Sequence, residues 1–307
     1  SGNHCGSYEE TRLDNESLRI TWEEGTGLNS WLDRATGTDL VRPDAIHPPL
    51  ALIHEVSPAD SAEEMCRVRG AMGLNRKSAE VERTVARLVN ARHLDGGPLF
   101  TGVEFDLVGA GLEHGKLALK LMGGSSRVEV HLVFLKSTNW APENMYLSLP
   151  FTAGPNDQMW LDKTGALVRP RIDQLPGTLT DYYSVQAGLM WTEDERALLL
   201  ATPDSNLIQL GSLDHGERLL MGDPRLEDDP AHAYAWLMTN YWETNFGADL
   251  GGFHEFRFTV ECRRGARKHQ EWGDELRAMS REPLVVRHLT SDSFRVSTDS
   301  GLMSRAK

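Results

Sequence analysis

Apolar and polar side chains alternate in short runs along most of this chain, which is the period of half-buried strands. Leu18, Ile20 and Trp22 interleave with Arg19, Thr21 and Glu23. Glu24-Gly25-Thr26-Gly27 turns that run into a second one around Leu28 to Leu32. Arg34-Ala35-Thr36-Gly37 turns it again, so a meander opens the chain. Arg42 to Ser61, rich in Pro and His, reads as loop. Ser78 to Ala91 fits both periods: Val81, Val85 and Leu88 make a helical stripe, while Val81, Arg83, Val85, Arg87 and Val89 make a strand with polar insertions. The strand reading follows from what comes next. Val103, Phe105 and Leu107, then Leu117, Leu119 and Leu121, then Val128, Val130, Leu132 and Phe134 alternate, punctuated by Gly109-Ala110-Gly111 and Gly123-Gly124. Strands at this spacing with no helix between them predict antiparallel sheets.

The second half continues the pattern. Met145, Leu147 and Leu149 lead into a long loop, rich in Pro, Gly and Asp, that runs to Thr180. Tyr183, Val185 and Ala187 begin another strand, and Leu198 to Ala201 and Leu207 to Leu210 add two more. Glu217 to Pro230 reads as exposed loop. Only Arg267 to Arg281 has a helical face, with Trp272, Leu276 and Met279 at i, i+4 and i+7 and Pro283 as the stop. Leu284 to Leu289 reads as a closing strand, and the tail after Thr290 as the stub of a further strand or as disordered. The expected organisation is an extension over 1–12, one large all-β domain over 13–289, and a tail or further β segment over 290–307.

Thr239 to Phe258 poses the functional question. Asn240, Tyr241, Trp242 and Asn245 lie close together, and Gly251-Gly252 makes a turn. Phe256, Phe258, Val260 and Cys262 then alternate with Arg257, Thr259 and Glu261. Aromatic faces beside carboxamides hold sugar rings, the face stacking while the amide bonds hydroxyls. The same residues also fill and pin a corner of a β-sandwich.

Composition narrows the partners. The 307 residues include 45 acidic against 32 basic, for a net charge of −13, which argues against nucleic acid and anionic membranes. No run approaches the ~20 apolar residues of a membrane span. Cys5, Cys66 and Cys262 are odd in number and widely separated, so neither a disulfide framework nor a structural zinc is indicated, and a reducing, cytoplasmic compartment is expected. Ser1-Gly2-Asn3-His4 lacks both a basic start and an apolar signal core, and the missing Met reads as a piece of a larger protein. G-x-G-x-x-G, P-loop and G-x-S-x-G motifs are absent. His254-Glu255 begins like a zinc-protease motif, but Phe258 stands where its second histidine is required. No two of the 11 histidines pair at metal-ligand spacing.

Several residues invite two readings. Asp173 and Gln174, in a long loop, could bond sugar hydroxyls, or Pro176-Gly177 simply makes a turn that Asp173 caps. On a strand, Tyr182, Ser184 and Gln186 share one face, which meets either a ligand or solvent, with Tyr183, Val185 and Ala187 opposite. Tyr241 and Trp242 suit packing as well as stacking. Glu243 and Asp249 would be a carboxylate pair of the glycosidase kind only if the fold set their separation.

Several stretches together resemble one family. K-S-T-N-W-A-P-E-N-M-Y-L-S-L-P-F (136–151) resembles the K…E-x-x-Y-x-x-x-P-F segment in the C-terminal half of glycoside hydrolase family 38 α-mannosidases and their bacterial relatives. D-Q-L-P-G-T…D-Y-Y-S-V-Q (173–186) resembles the next segment. A-T-P-D-S-N-L-I-Q-L-G (201–211) is similar to a third, although Ser205-Asn206 departs from the usual small residue and Pro. N-Y-W-E-T-N-F…G-G-F-H-E-F-R-F (240–258) looks like the N-x-W-x-T-N-F…F-R-F signature, and D-R-A-T-G-T-D-L-V (33–41) like the usual start of the domain. The matches keep their order from about Leu13 to Leu289.

The resemblance implies a large antiparallel β-supersandwich of galactose-mutarotase-like type, to which the residue pattern adds one short helix near the C-terminus. In that family the zinc ion, the nucleophilic Asp and most catalytic ligands sit on an N-terminal α/β domain and a helical bundle, and no stretch here resembles those. The chain is thus expected to hold no cofactor itself, zinc belonging to the catalytic domain of a full-length relative. Its expected partners are carbohydrate and a catalytic domain of the same polypeptide. Sandwich loops close over the cleft in relatives, which makes Asp173, Gln174, Tyr182, Asn240, Trp242 and Asn245 the substrate-binding candidates. The reading is a non-catalytic β-domain of an α-mannosidase-like hydrolase. The alternatives are a stand-alone mutarotase-like epimerase, with His131 as candidate base, and a carbohydrate-binding module.

Overall fold

In a computed structural model the described residues are 5–70, 81–180, 182–213, 219–226, 232–241 and 247–281, with the backbone of 71–72, 294–296 and 303–305. The alternating runs fold as expected into an all-β, antiparallel supersandwich. A large sheet of nine strands has the spatial order Ala166–Val168, Gln158–Lys163, Gly188–Glu193, Arg196–Ala201, Gly252–Arg264, Val128–Lys136, Leu112–Met122, Phe100–Val108 and Arg87–Asp95. A small sheet of six has the order Tyr183–Ser184, Leu207–Leu210, Ala233–Thr239, Glu143–Leu149, Leu52–Val56 and Glu82–Val85. A five-stranded meander runs in chain order from Ser7–Glu9 to Thr38–Asp39.

One apolar core joins the three sheets. Phe105, Leu119, Leu132 and Phe258 of the large sheet meet Leu52, Leu147 and Ala235 of the small one, with Ile20, Trp22 and Trp31 entering from the meander. Trp22 stands edge-on to Phe105, and Trp31 to Phe151. Asn15 ties the meander to the large sheet: its Nδ2 donates to the carbonyls of Met122 and Ser125, while its Oδ1 accepts the Ser17 and Leu18 amides. Burial makes those bonds count, since an unpaired amide there would cost ~1–3 kcal/mol.

Four expectations need correction. Arg42 to Ser61 is not all loop, because Leu52–Val56 is an interior strand of the small sheet, buried on both faces and therefore without alternation. The stretch from Pro150 to Thr180 contains the strand pair Gln158–Lys163 and Ala166–Val168. Gly188–Glu193 and Ala233–Thr239, largely buried on both faces, are further strands that the pattern did not mark. Helices number two among the described residues, since Ala62–Met72 precedes the expected one. The expected helix, His269–Met279, lays Trp272 and Leu276 on Met190, Ala197 and Leu199, across the outer face of the large sheet. Gly273 sits where a Cβ would press on Leu167, which lets the helix come this close. The closing strand expected at Leu284 to Leu289 lies outside the described residues.

Candidate functional site

Three polar groupings emerge from this architecture. The first lies at one end of the sandwich, where the apolar interior runs out. Val128, Val130, Leu132 and Phe134 point inward, and the next inward position is Lys136. Its Nζ lies 2.6 Å from Oε1 of Glu143, an ion pair that falls outside hydrogen-bond geometry, and donates to the Ser137 carbonyl at 2.9 Å. Glu143 Oε2 pairs with His54 Nε2 at 2.7 Å, and the Glu143 amide donates to Asn240 Oδ1 at 2.6 Å. Asn240 Nδ2 in turn donates to the carbonyls of Ala141 and Ala248. Every side chain of this knot is at least nine-tenths buried.

The second grouping is the outer face of the small sheet. Arg83 donates to Glu55, which also accepts from Asn144 Nδ2, and Asn144 Oδ1 accepts from Trp236 Nε1. Tyr146 packs between Tyr234 and Trp236. Burial first, and the Glu55 carboxylate second, push its phenol well above the ordinary range. Arg83, Glu55, Asn144 and Trp236 satisfy one another beneath the surface, while the buried Tyr146 hydroxyl has no hydrogen-bond partner among the described residues.

The third grouping faces solvent on the outer side of the large sheet. The register pairs His131 with Arg257 and Val133 with Glu255, which makes His131 and Glu255 diagonal neighbours across two strands. His131 Nε2 lies 2.6 Å from Glu255 Oε1, with the side chains 44% and 48% exposed. Arg257 clamps Asp204 through Nε and its terminal nitrogen, and that hydrogen bonding holds the Asp204 carboxyl below its usual range. His131, Glu255 and Arg257 line an open groove of about 350 Å³ beside the end of the His269–Met279 helix.

The residues singled out by sequence distribute unevenly. Asp173 is exposed and held by Arg169, which lowers its carboxyl pKa. Gln174 braces its own loop: Oε1 accepts from the Arg171 amide and the Tyr183 hydroxyl, and Nε2 donates to the Leu179 carbonyl. Tyr182 stands edge-on to Trp236, on the small-sheet grouping. Asn240 belongs to the buried knot, about 1% exposed. Trp242, Asn245 and Glu243 lie outside the described residues, while Asp249 accepts the Gly251 and Asn139 amides. The structure thus brings none of the described substrate-binding candidates into the exposed groove, where only His131, the candidate base of the epimerase alternative, lies. Glu255 was not among them, since its partnership with His131 depends on strand register.

The groove is poorly arranged for acid–base chemistry across a ring. His131 and Glu255 are bonded to each other on one face, whereas an epimerase of the expected kind needs an acid and a base on opposite sides of its substrate. Among the described residues a zinc site does not fit either, since no three His, Cys, Asp or Glu side chains converge as metal ligands. No described helix is long and apolar enough to cross a membrane.

Comparison of whole folds decides the architecture. An α-mannosidase from Enterococcus faecalis V583 superposes with a TM-score of 0.61 at 9% identity, over 91% of this chain. The chain shares its fold with one third of an α-mannosidase. A protein in glycosyl hydrolase family 38, also from Enterococcus faecalis, superposes with a TM-score of 0.60 at 7% identity over the same share. The match spans only 32% and 33% of those two proteins. A galactose 1-epimerase from Lactobacillus acidophilus NCFM reaches a TM-score of 0.42 at 10% identity, too distant to bear on chemistry. No family model and no curated protein matches the sequence.

Proposed function

We propose that this chain is the supporting β-sandwich domain of an α-mannosidase-like glycoside hydrolase. It stabilises a catalytic domain of the same polypeptide and helps to enclose a carbohydrate, without carrying out the chemistry itself. The observation that carries this reading is the extent of the fold match: nearly all of this chain against one third of an α-mannosidase. The state of the polar groups supports it. The buried carboxylates Glu143 and Glu55 are engaged by Lys136, His54, Arg83 and Asn144, so they hold the fold rather than wait for a substrate. Lys136 and Glu143 of the 136–151 stretch and Asn240 of the 240–258 stretch meet in the sandwich-end knot, which supports a scaffolding role for them.

The test compares the product of the complete gene with this chain. Aryl α-mannosidase activity and bound zinc are expected in a longer polypeptide that includes this chain. A complete product that binds no zinc and leaves every α-mannoside intact would overturn the reading.

A further inference from the structure

The outer face of the large sheet continues beyond the His131–Glu255 groove. Outward positions on Val128–Lys136 are Glu129, His131, Val133 and Leu135; on Gly252–Arg264 they are Phe253, Glu255, Arg257 and Thr259. The members nearer Lys136 floor a second groove of about 480 Å³. Together the grooves follow the two strands for about 20 Å, at ~3.4 Å per residue from Phe253 to Thr259.

Three features limit what this face can hold. Phe253 is 66% exposed, an aromatic face left open to solvent with half-buried Val133 and Leu135 on the adjacent strand, and Val108, 43% exposed, lines the same groove three strands away. Both strands are interior to the sheet, flanked on each side by hydrogen-bonded partners, so an extended peptide has no free edge to join. Charges of both signs intermix, with Lys116, Lys120 and Arg257 against Glu129, Glu255 and Asp204, leaving no single-sign patch for a polyanion. A ligand must therefore offer a face to stack and hydroxyl groups that both donate and accept. The ion pairs fix the geometry of that array, Glu255 and Asp204 accepting while Arg257 donates.

We propose that this face binds a neutral oligosaccharide along the strands, one ring stacked on Phe253 and the next bonded by Glu255 and His131. The ligand class rests on the glycoside-hydrolase reading; the surface does not. Titration of the 307-residue chain with neutral tetrasaccharides of mannose, glucose and galactose, followed by calorimetry, tests it. At least one is expected to bind. Phe253→Ala is expected to weaken that binding about tenfold, ~1.4 kcal/mol, with an unchanged melting temperature. Phe253→Tyr is expected to keep it, and His131→Ala to weaken it as well. The proposal is overturned if no neutral tetrasaccharide binds, if neither Phe253→Ala nor His131→Ala affects binding, or if an oligouronate of equal length binds more tightly. None of those results would touch the supporting-domain reading, which the complete gene product decides.

Discussion

Lys136 of the large sheet and Glu143 of the small sheet meet across the end of the sandwich, Nζ to Oε1, at 2.6 Å with both side chains essentially inaccessible to water. The pair bridges the two layers at the position where one more apolar residue would have extended the core. Removing Glu143 leaves the Lys136 charge buried without a counter-ion, and removing Lys136 leaves Glu143 with the His54 ring alone, a loss of about 3–5 kcal/mol in either case. Lys136→Met and Glu143→Leu are each expected to lose that much in denaturant unfolding, and the double variant less than either alone. Single losses below ~1 kcal/mol would show that the pair is not holding the layers together.

Asn240 makes a second prediction, because its amide has a fixed orientation. Oδ1 takes the Glu143 amide while Nδ2 serves two carbonyls. Asn240→Asp replaces that double donor with an acceptor facing two oxygens. A destabilisation of about 2–3 kcal/mol is expected, and more than from Asn240→Ala. An aspartate variant as stable as the parent in thermal melts would return Asn240 to the cleft rim suggested by sequence.

Cys262 gives the pH dependence. Burial first, and the Asp33 carboxylate second, push its thiol from an ordinary 9 to about 11. Between those values the unfolded chain has released the proton and the folded chain has kept it. Stability from this group is therefore complete below about pH 9 and lost as pH rises through about 11, a total of ~2–3 kcal/mol. The melting temperature should fall more steeply over that window in the parent than in Cys262→Ala. At pH 8 the exposed Cys66 should react with a disulfide reagent well before Cys262 does.

The helix makes a fourth prediction. Trp272 is 1% exposed and covers Met190, Ala197 and Leu199. Trp272→Ala should cost about 3–5 kcal/mol and bare the outer face of those strands, measurable as increased binding of a hydrophobic dye.

Strands with one wet face were legible in the sequence. Val128–Lys136 and Gly252–Arg264 alternate because their outer faces meet solvent, and the helix showed its Trp272–Leu276 stripe. Strands buried on both sides were not. In Leu52–Val56 the side chains of Ile53, His54 and Glu55 are all covered, so polar residues that serve the buried networks broke the pattern. Ala62–Met72 carries too few apolar positions for its period to stand out, Val68 being the one that meets Tyr241. The site was legible only as residue types. His131 drew notice as a candidate base; Glu255 reaches it through a register that no local spacing encodes. Asn240 drew notice for its amide, and the fold turned that amide inward.

The central claim is that this chain supports chemistry done elsewhere. Its most direct test is hydrolysis of an aryl α-mannoside by the 307-residue chain alone, with and without added zinc. No rate above buffer is predicted in either condition. Zinc-dependent release of the aryl group would contradict the account.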